Sequence, residues 1–204
     1  MLTVSSTFLS SGVSIMARPH PEPRRPTGRA ASSLGARFCA AGDSLAAMSD
    51  VSADLAPRRA RPDDAGTVAR LLHDFNTEFD TPTPGVAVLT KRLQSLLAGP
   101  GTIAYLIGEP AAGVALVTLR SNVWYEGPVA LLDELYVVPD RRSHGLGGAM
   151  IRLLIAEADE MGVSAIEINV DAQDVDAQRF YERHGFSGVD PDTGERAFYY
   201  SLEL

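Results

Sequence analysis

The sequence predicts a mixed α/β fold, with a central sheet of about six to seven strands flanked by about four helices. Three observations carry that expectation. Strand-like and helix-like runs alternate from about residue 56 onward, the stretch 129–170 reads strand, helix, strand, and 45% of the residues are hydrophobic with a mean hydropathy near zero. In "RPDDAGTVARLLHDFNTEF", Asp63 or Asp64 offers a helix cap, after which Val68, Leu72, Phe75 and Phe79 recur on one face. A second short helix carries Leu89, Leu93, Leu96 and Leu97 and stops before "GPG". "TIAYLIG" and "GVALVTLRSNVWY" flank the turn "EPAAG" as a hairpin, and "VALLDELYVV" is a long third strand after Gly127-Pro128. An amphipathic helix from about Gly145 to Met161 turns Met150, Leu153, Leu154 and Ala158 inward. "AIEINV" is then a strand, "DVDAQRFYERHG" a helix, and "ERAFYYSLEL" a last strand across the turn "PDTG".

Residues 1–55 read differently from residues 56–204. "ARPHPEPRRPTGRAASS" is dense in Pro, Arg and Ser without helical or strand periodicity, so the first part is expected to be a disordered, low-complexity extension and the rest the folded domain. The opening "MLTVSSTFLSSGVSIMA" is weakly apolar but lacks a positive start, which makes it a poor signal peptide. Its Arg/Ser bias suits a transit peptide, and Met16 and Met48 are alternative starts. Residues 58–204 hold 13 Lys plus Arg against 22 Asp plus Glu. A field of that sign repels a nucleic-acid backbone and favours cationic partners, or else serves solubility alone. No apolar run approaches the roughly 18 to 20 residues of a membrane span. The single Cys39 provides neither a disulfide framework nor a zinc site. The expectation is a cytoplasmic protein with no metal, no nucleic acid and no membrane contact.

One short stretch stands apart. In "ELYVVPDRRSHGLGGAM" an apolar strand breaks at a proline, passes two arginines and a histidine, meets three glycines in four positions and turns helical. Helix amino ends carry unpaired N–H groups and partial positive charge, and glycines let a ligand approach them, so a pyrophosphate is the natural guest. A dinucleotide motif fits badly: its third glycine should stand at Met150, and six residues from Pro139 to His144 separate strand from glycines where that fold has a tight turn. A nucleoside-triphosphate loop fails because no lysine follows, the chain's only lysine being Lys91. A purely structural turn remains the plain alternative.

The run Arg142-Ser143-His144-Gly145-Leu146-Gly147 resembles the Q/R-x-x-G-x-G/A signature of the GNAT superfamily of N-acetyltransferases, and "AQRFYERHGF", Ala177 to Phe186, resembles the same family's A-x-x-F-Y-x-x-x-G-F segment. The likeness spans about residues 56 to 204. It implies acetyl-CoA as co-substrate, bound where two parallel strands, "LDELYVV" and "AIEINV", splay apart. Its pantetheine arm would pair with backbone near Tyr136, Val137 and Val138. Its pyrophosphate would meet the N–H groups of Ser143, His144, Gly145, Leu146, Gly147 and Gly148, with the charge of Arg142 and Arg141 close by. Asp174 stands where the family often has a cofactor-contacting Asn, which leaves it the role of a helix cap.

The implied reaction moves an acyl group from a thioester to an amine, which must first lose its proton to a carboxylate. Asp133 and Glu134 are the candidates, and simple strand alternation puts them on opposite faces. Diamine-type relatives use the acid matching Asp133, whereas many others carry the one matching Glu134. Tyr181 matches the family's general acid for the departing thiolate, and a phenol near pKa 10 holds its proton at neutrality. His144 and His184 read as solvent-facing positions. Acceptor choice is expected from "HDFNTEFDTPTPG" and "SNVWYEGP", whose carboxylates and aromatics suit a cationic amine, or equally form a solvated face or a homodimer contact. The acceptor is thus a small-molecule amine. The alternatives are a protein lysine or amino terminus, or a non-catalytic acyl-CoA-binding module.

Overall fold

The alternation of apolar residues sets out a five-stranded sheet with helices on both faces. It is seen in a computed structural model that describes residues 56–190 and 192–196. The elements run β1 (Arg58–Arg59), α1 (Ala65–Glu78), α2 (Val86–Leu97), β2 (Thr102–Ile107), β3 (Gly113–Arg120), β4 (Val129–Val137), α3 (Leu146–Glu160), β5 (Ala165–Ile168) and α4 (Val175–Glu182). The strands lie in chain order, antiparallel from β1 to β4, while β4 and β5 are parallel and joined by the crossover helix α3. The count is five strands among the described residues rather than six to seven. The expected last strand falls largely on residues 197–204, outside them. The turn before it is formed: Gly194 N–H bonds Asp190 O and Asp190 N–H bonds Glu195 O, each at 2.8 Å.

β2 is buried along its whole length, and its side chains alternate between two cores. Ile103, Tyr105 and Ile107 meet Ala115, Val117, Ala130 and Leu132 beneath Met150, Ile151 and Leu154 of α3. Ala104 and Leu106 meet Val114 and Tyr136 beneath Val68, Leu71 and Leu72 of α1 and Leu93 of α2. Full burial of each such Leu or Ile stabilises the fold by about 1.5–3 kcal/mol, so both helix layers are held firmly on the sheet.

The helix entries follow local chemistry. Asp64 stands at the start of α1, yet its carboxylate turns back to the Arg58 guanidinium (2.8 Å to each nitrogen) and to Arg61 N–H (2.8 Å) instead of capping the helix. The Arg58 hydrogen bond, assisted by the Arg61 amide, holds its pKa down at about 2. Phe79 does not belong to the buried face of α1: the helix ends at Glu78 and Phe79 is 49% exposed. Leu96 is likewise turned outward, leaving Leu93 as the buried residue of α2. α4 starts at Asp174, whose Oδ1 accepts from Ala177 N–H at 2.9 Å, the cap expected of an acid at that position. Among the described residues no helix is long and apolar enough to cross a membrane, and no His/Cys/Asp/Glu group could hold a metal.

Candidate active site

β4 and β5 pair only from Val129–Ala165 to Leu132–Ile168, and beyond Leu132 β4 runs on to Val137 without a partner on that side. This is the expected splay. Val138 N–H bonds Ala112 O at 2.9 Å, which fixes the phase of the ladder: alternate residues Glu134, Tyr136 and Val138 direct their backbone groups to β3. Leu135 and Val137 direct theirs into the gap. Of the three residues expected beside a pantetheine arm, Val137 turns its backbone to the gap, where Leu135 joins it and where Arg142 Nε already donates to the Val137 carbonyl, whereas Tyr136 and Val138 turn theirs to β3.

The two acids do not alternate. Leu116 faces Glu134 while its neighbour Val117 faces Leu132, so Asp133 is a bulged residue and both flanking leucines, Leu132 and Leu135, pack toward α3. Asp133 and Glu134 accordingly share the α1 face. Asp133 Oδ2 accepts from the Thr118 hydroxyl at 2.6 Å, and burial raises its pKa despite that bond. Glu134 takes no hydrogen bond from any described residue. Burial, and then the charge of Asp133, push its pKa up to about 7.

The gap opens into a cleft of about 570 Å³ whose lining includes Leu135, Val137, Ser143, Gly145, Gly147 and Tyr181. A larger depression of about 790 Å³ lies along α2, and its lining includes neither the acids nor the glycines. Tyr181 comes from α4, edge-on to Phe180 and Phe186 with ring centroids 5.0 and 5.6 Å away. Its pKa is raised by burial and then by the charges of Asp174 and Glu134, so the phenol keeps its proton and senses the free acid.

The glycine loop crosses from β4 to α3 through a short 3-10 turn at Pro139–Arg141. Gly145, at φ 80° and ψ 4°, is the left-handed residue that lets the chain enter α3 and leaves the first-turn N–H groups open to the cleft. A Cβ on Gly147 would lie 3.4 Å from the Phe180 ring, so a larger side chain must extend into the cleft. Gly147→Val is expected to weaken coenzyme A binding about tenfold or more by calorimetry; unchanged affinity would take this loop out of the site.

Three expected cofactor contacts are engaged within the protein, and two of them lie outside the cleft lining. Arg142 borders the cleft, but its guanidinium is committed: Nε donates to Val137 O at 2.9 Å, a terminal nitrogen to Glu78 Oε2 at 2.7 Å, and Cζ lies 5.6 Å from the centroid of the Tyr136 ring. It ties the loop to the end of α1, and Glu78, with its pKa lowered mainly by that bond, is the partner. His144 bonds Arg142 O at 2.6 Å through Nδ1 and does not line the cleft. Asp174 caps α4 and stays outside too. Conversely, Arg141, Arg152, Ala177, Phe180, Arg183 and His184 do line it. His184 is thus a cleft residue rather than a surface filler, a fact its i+4 bond from Nδ1 to Phe180 O (2.8 Å) helps fix. The turn at residues 121–127 is held by Asn122 Oδ1, which accepts from Trp124 and Tyr125 N–H at 2.8 Å each, and leaves Trp124 66% exposed at the opposite end of β4 from the glycine loop.

Comparison with known proteins follows the same lines. Residues 68–186 match the model of the acetyltransferase (GNAT) family. A crystal structure of a proposed acetyltransferase from Arthrobacter sp. FB24 is 53% identical, aligned over 72% of this chain and 95% of that one with a TM-score of 0.69. An aminoglycoside acetyltransferase from an uncultured soil metagenomic sample, solved in complex with sisomicin, is 21% identical over 75% of this chain and 99% of its own, with a TM-score of 0.61. AAC(6')-Iy, in complex with a bisubstrate analogue of coenzyme A and acetylneamine, is 15% identical over 74% and 99%, with a TM-score of 0.59. The last two share the fold alone. No curated protein sequence gives a significant match.

Proposed function

The chain belongs to the GNAT family of acetyltransferases and is an acetyl-transferring enzyme, and from that premise we propose that its acceptor is the primary amine of a small molecule, which attacks directly with both substrates bound. Enzymes of this family take the acetyl group from acetyl-CoA, whose thioester supplies the reactive carbonyl. The residues present suit that molecule: a left-handed glycine and open helix N–H groups for a pyrophosphate, and the gap-facing backbone of Leu135 and Val137 for the amides of a pantetheine arm.

One observation carries the reading. Tyr181 borders the cleft and feels the charge of Glu134, so a phenol that keeps its proton lies within electrostatic reach of a carboxyl that ionises near neutrality. Glu134 takes a proton from the ammonium form of the acceptor, directly or through water, and frees the nitrogen lone pair that forms the new C–N bond. Tyr181 gives its proton to the sulfur as the C–S bond breaks. Asp133, already bonded to Thr118, raises the basicity of Glu134 through its charge rather than acting as the base itself.

The acidic domain and the carboxylates Asp74 and Asp80 near the end of α1 favour a cationic acceptor. Release of free thiol from acetyl-CoA, followed across polyamines, amino acids, aminoglycosides including sisomicin, and lysine and amino-terminal peptides, tests the acceptor class. Turnover with at least one small amine is expected. Turnover confined to peptides would overturn it.

A further inference from the structure

We infer that Glu78, the last residue of α1, is a positioning residue for the acetyl donor: through Arg142 it holds the Val137 carbonyl and the glycine loop in the arrangement that receives coenzyme A. The inference rests on the reading that coenzyme A fills the cleft. It adds a side chain that does not line that cleft and stands 64 residues before its partner.

Three observations lead to it. First, the contacts form one unbroken line from α1 to the gap. A terminal nitrogen of Arg142 donates to Glu78 Oε2 at 2.7 Å, and Nε of the same guanidinium donates to Val137 O at 2.9 Å. A guanidinium is planar and its donors have fixed directions, so a carboxylate at one edge sets the bond made at the other. Val137 ends β4, beyond the last pair with β5. Its carbonyl oxygen has two lone pairs, so Arg142 fixes the group and still leaves a site for a pantetheine N–H.

Second, the loop needs an external hold. Ser143, which follows Arg142 directly, is a non-glycine residue at φ 64°, a left-handed conformation that persists only where the surroundings enforce it. The loop's other hydrogen bonds are local: Arg141 N–H to Val138 O, Arg142 N–H to Pro139 O, and His144 Nδ1 with Arg142 O. Among the described residues, the bond from Arg142 to Glu78 is the one hydrogen bond that ties residues 139–144 to an element other than β4 and α3.

Third, Glu78 is badly placed for α1 by itself. The carboxyl end of a helix carries partial negative charge, which disfavours an acid in the last turn. Asp74 stands four residues earlier on the same helix, and like charges at that spacing repel. The Arg142 hydrogen bond outweighs both: it lowers the Glu78 pKa and keeps the side chain ionised and only 26% exposed. An acid held at a helix end that disfavours it has its task on the loop rather than in α1.

Binding of coenzyme A to the full chain by calorimetry, together with steady-state kinetics, tests the inference. Glu78→Gln should weaken coenzyme A about three- to fivefold, the scale of a partly exposed ion pair. The KM for acetyl-CoA should rise by a similar factor, kcat at saturation should fall less, and the KM for the amine should hold. Glu78→Asp, which keeps the charge on a shorter stem, should recover part of the loss. Because Glu78 acts through Arg142, Arg142→Gln should weaken coenzyme A as well, and adding Glu78→Gln to it should change nothing further. Unchanged or tighter binding in Glu78→Gln, equal losses in the Asp and Gln variants, or additive losses in the double variant would overturn the role of Glu78 while leaving coenzyme A in the cleft. A rise confined to the KM for the amine would overturn it too, by moving Glu78 to the acceptor side. Failure of the unaltered protein to bind coenzyme A would remove the cleft assignment and this inference together.

Discussion

Glu134→Gln should lower kcat/KM for the amine by about 10²- to 10⁴-fold, the range in which a positioned general base contributes. The substitution keeps the size and polarity of the side chain but cannot take a proton. Because the pKa of Glu134 is raised to about 7, the unaltered enzyme should show kcat/KM climbing with pH through about 7, as the carboxyl loses its proton and becomes a base. The variant should lose that limb. Stability supplies an independent check. A carboxyl whose folded pKa lies above its ordinary value of 4.5 favours the fold while protonated, and that contribution fades as pH rises from about 4.5 through 7. Glutamine removes the burden of a buried charge, so above pH 7 the variant should melt no lower than the unaltered protein. A large loss of activity with unimpaired melting assigns the loss to chemistry. Retention of the rising limb would remove Glu134 as the base.

The same residue marks the limit of what the sequence could reveal. Strand alternation separates Asp133 from Glu134 by face, and the single bulged residue opposite Leu116 and Val117 reverses that conclusion. Nothing in "LLDELYV" announces a bulge, because the irregularity is settled by pairing with β3 rather than by local preference. The order of elements and the glycine turn into α3 were legible because each follows from local patterning: alternation in β2 to β4, 3.6-residue periodicity in α3, and a glycine required at a left-handed entry; the splay was expected only from the family resemblance.

Partnerships across the chain were not legible. Arg142 looks like a free cation in its motif, yet its guanidinium goes to Glu78, 64 residues earlier, and to the carbonyl of Val137. Which backbone groups of β4 face the gap depends on the phase set by Val138 and Ala112, so the sequence could locate the strand but not distinguish Leu135 from Tyr136. His184 had one readable signal. It follows Phe180 by four residues, in the turn that ends α4, and Gly148 stands in the first turn of α3, but only the packing of the two segments brings the ring to that glycine.

Tyr181→Phe isolates the other half of the proton transfer. The ring should keep its edge contacts with Phe180 and Phe186, so the fold and the cleft wall should survive the loss of one hydroxyl. Without that hydroxyl the sulfur must leave as a thiolate or take a proton from water. kcat should fall about 10²-fold or more, the lower bound for a positioned acid, and kcat/KM should fall by a similar factor, because the interaction arises only as the C–S bond breaks. The KM for acetyl-CoA should change little. Burial and the charges of Asp174 and Glu134 raise the phenol above its ordinary pKa of 10.0, so in the unaltered enzyme no descending limb from its ionisation should appear below pH 10. The two profiles are therefore separable: Glu134 governs the rise near pH 7, and Tyr181 sets the height of the plateau. An acyl donor with a more acidic leaving thiol needs less protonation, so it should recover part of the loss in Tyr181→Phe and none of the loss in Glu134→Gln. Equal recovery in both variants, or undiminished turnover in Tyr181→Phe, would contradict the division of roles.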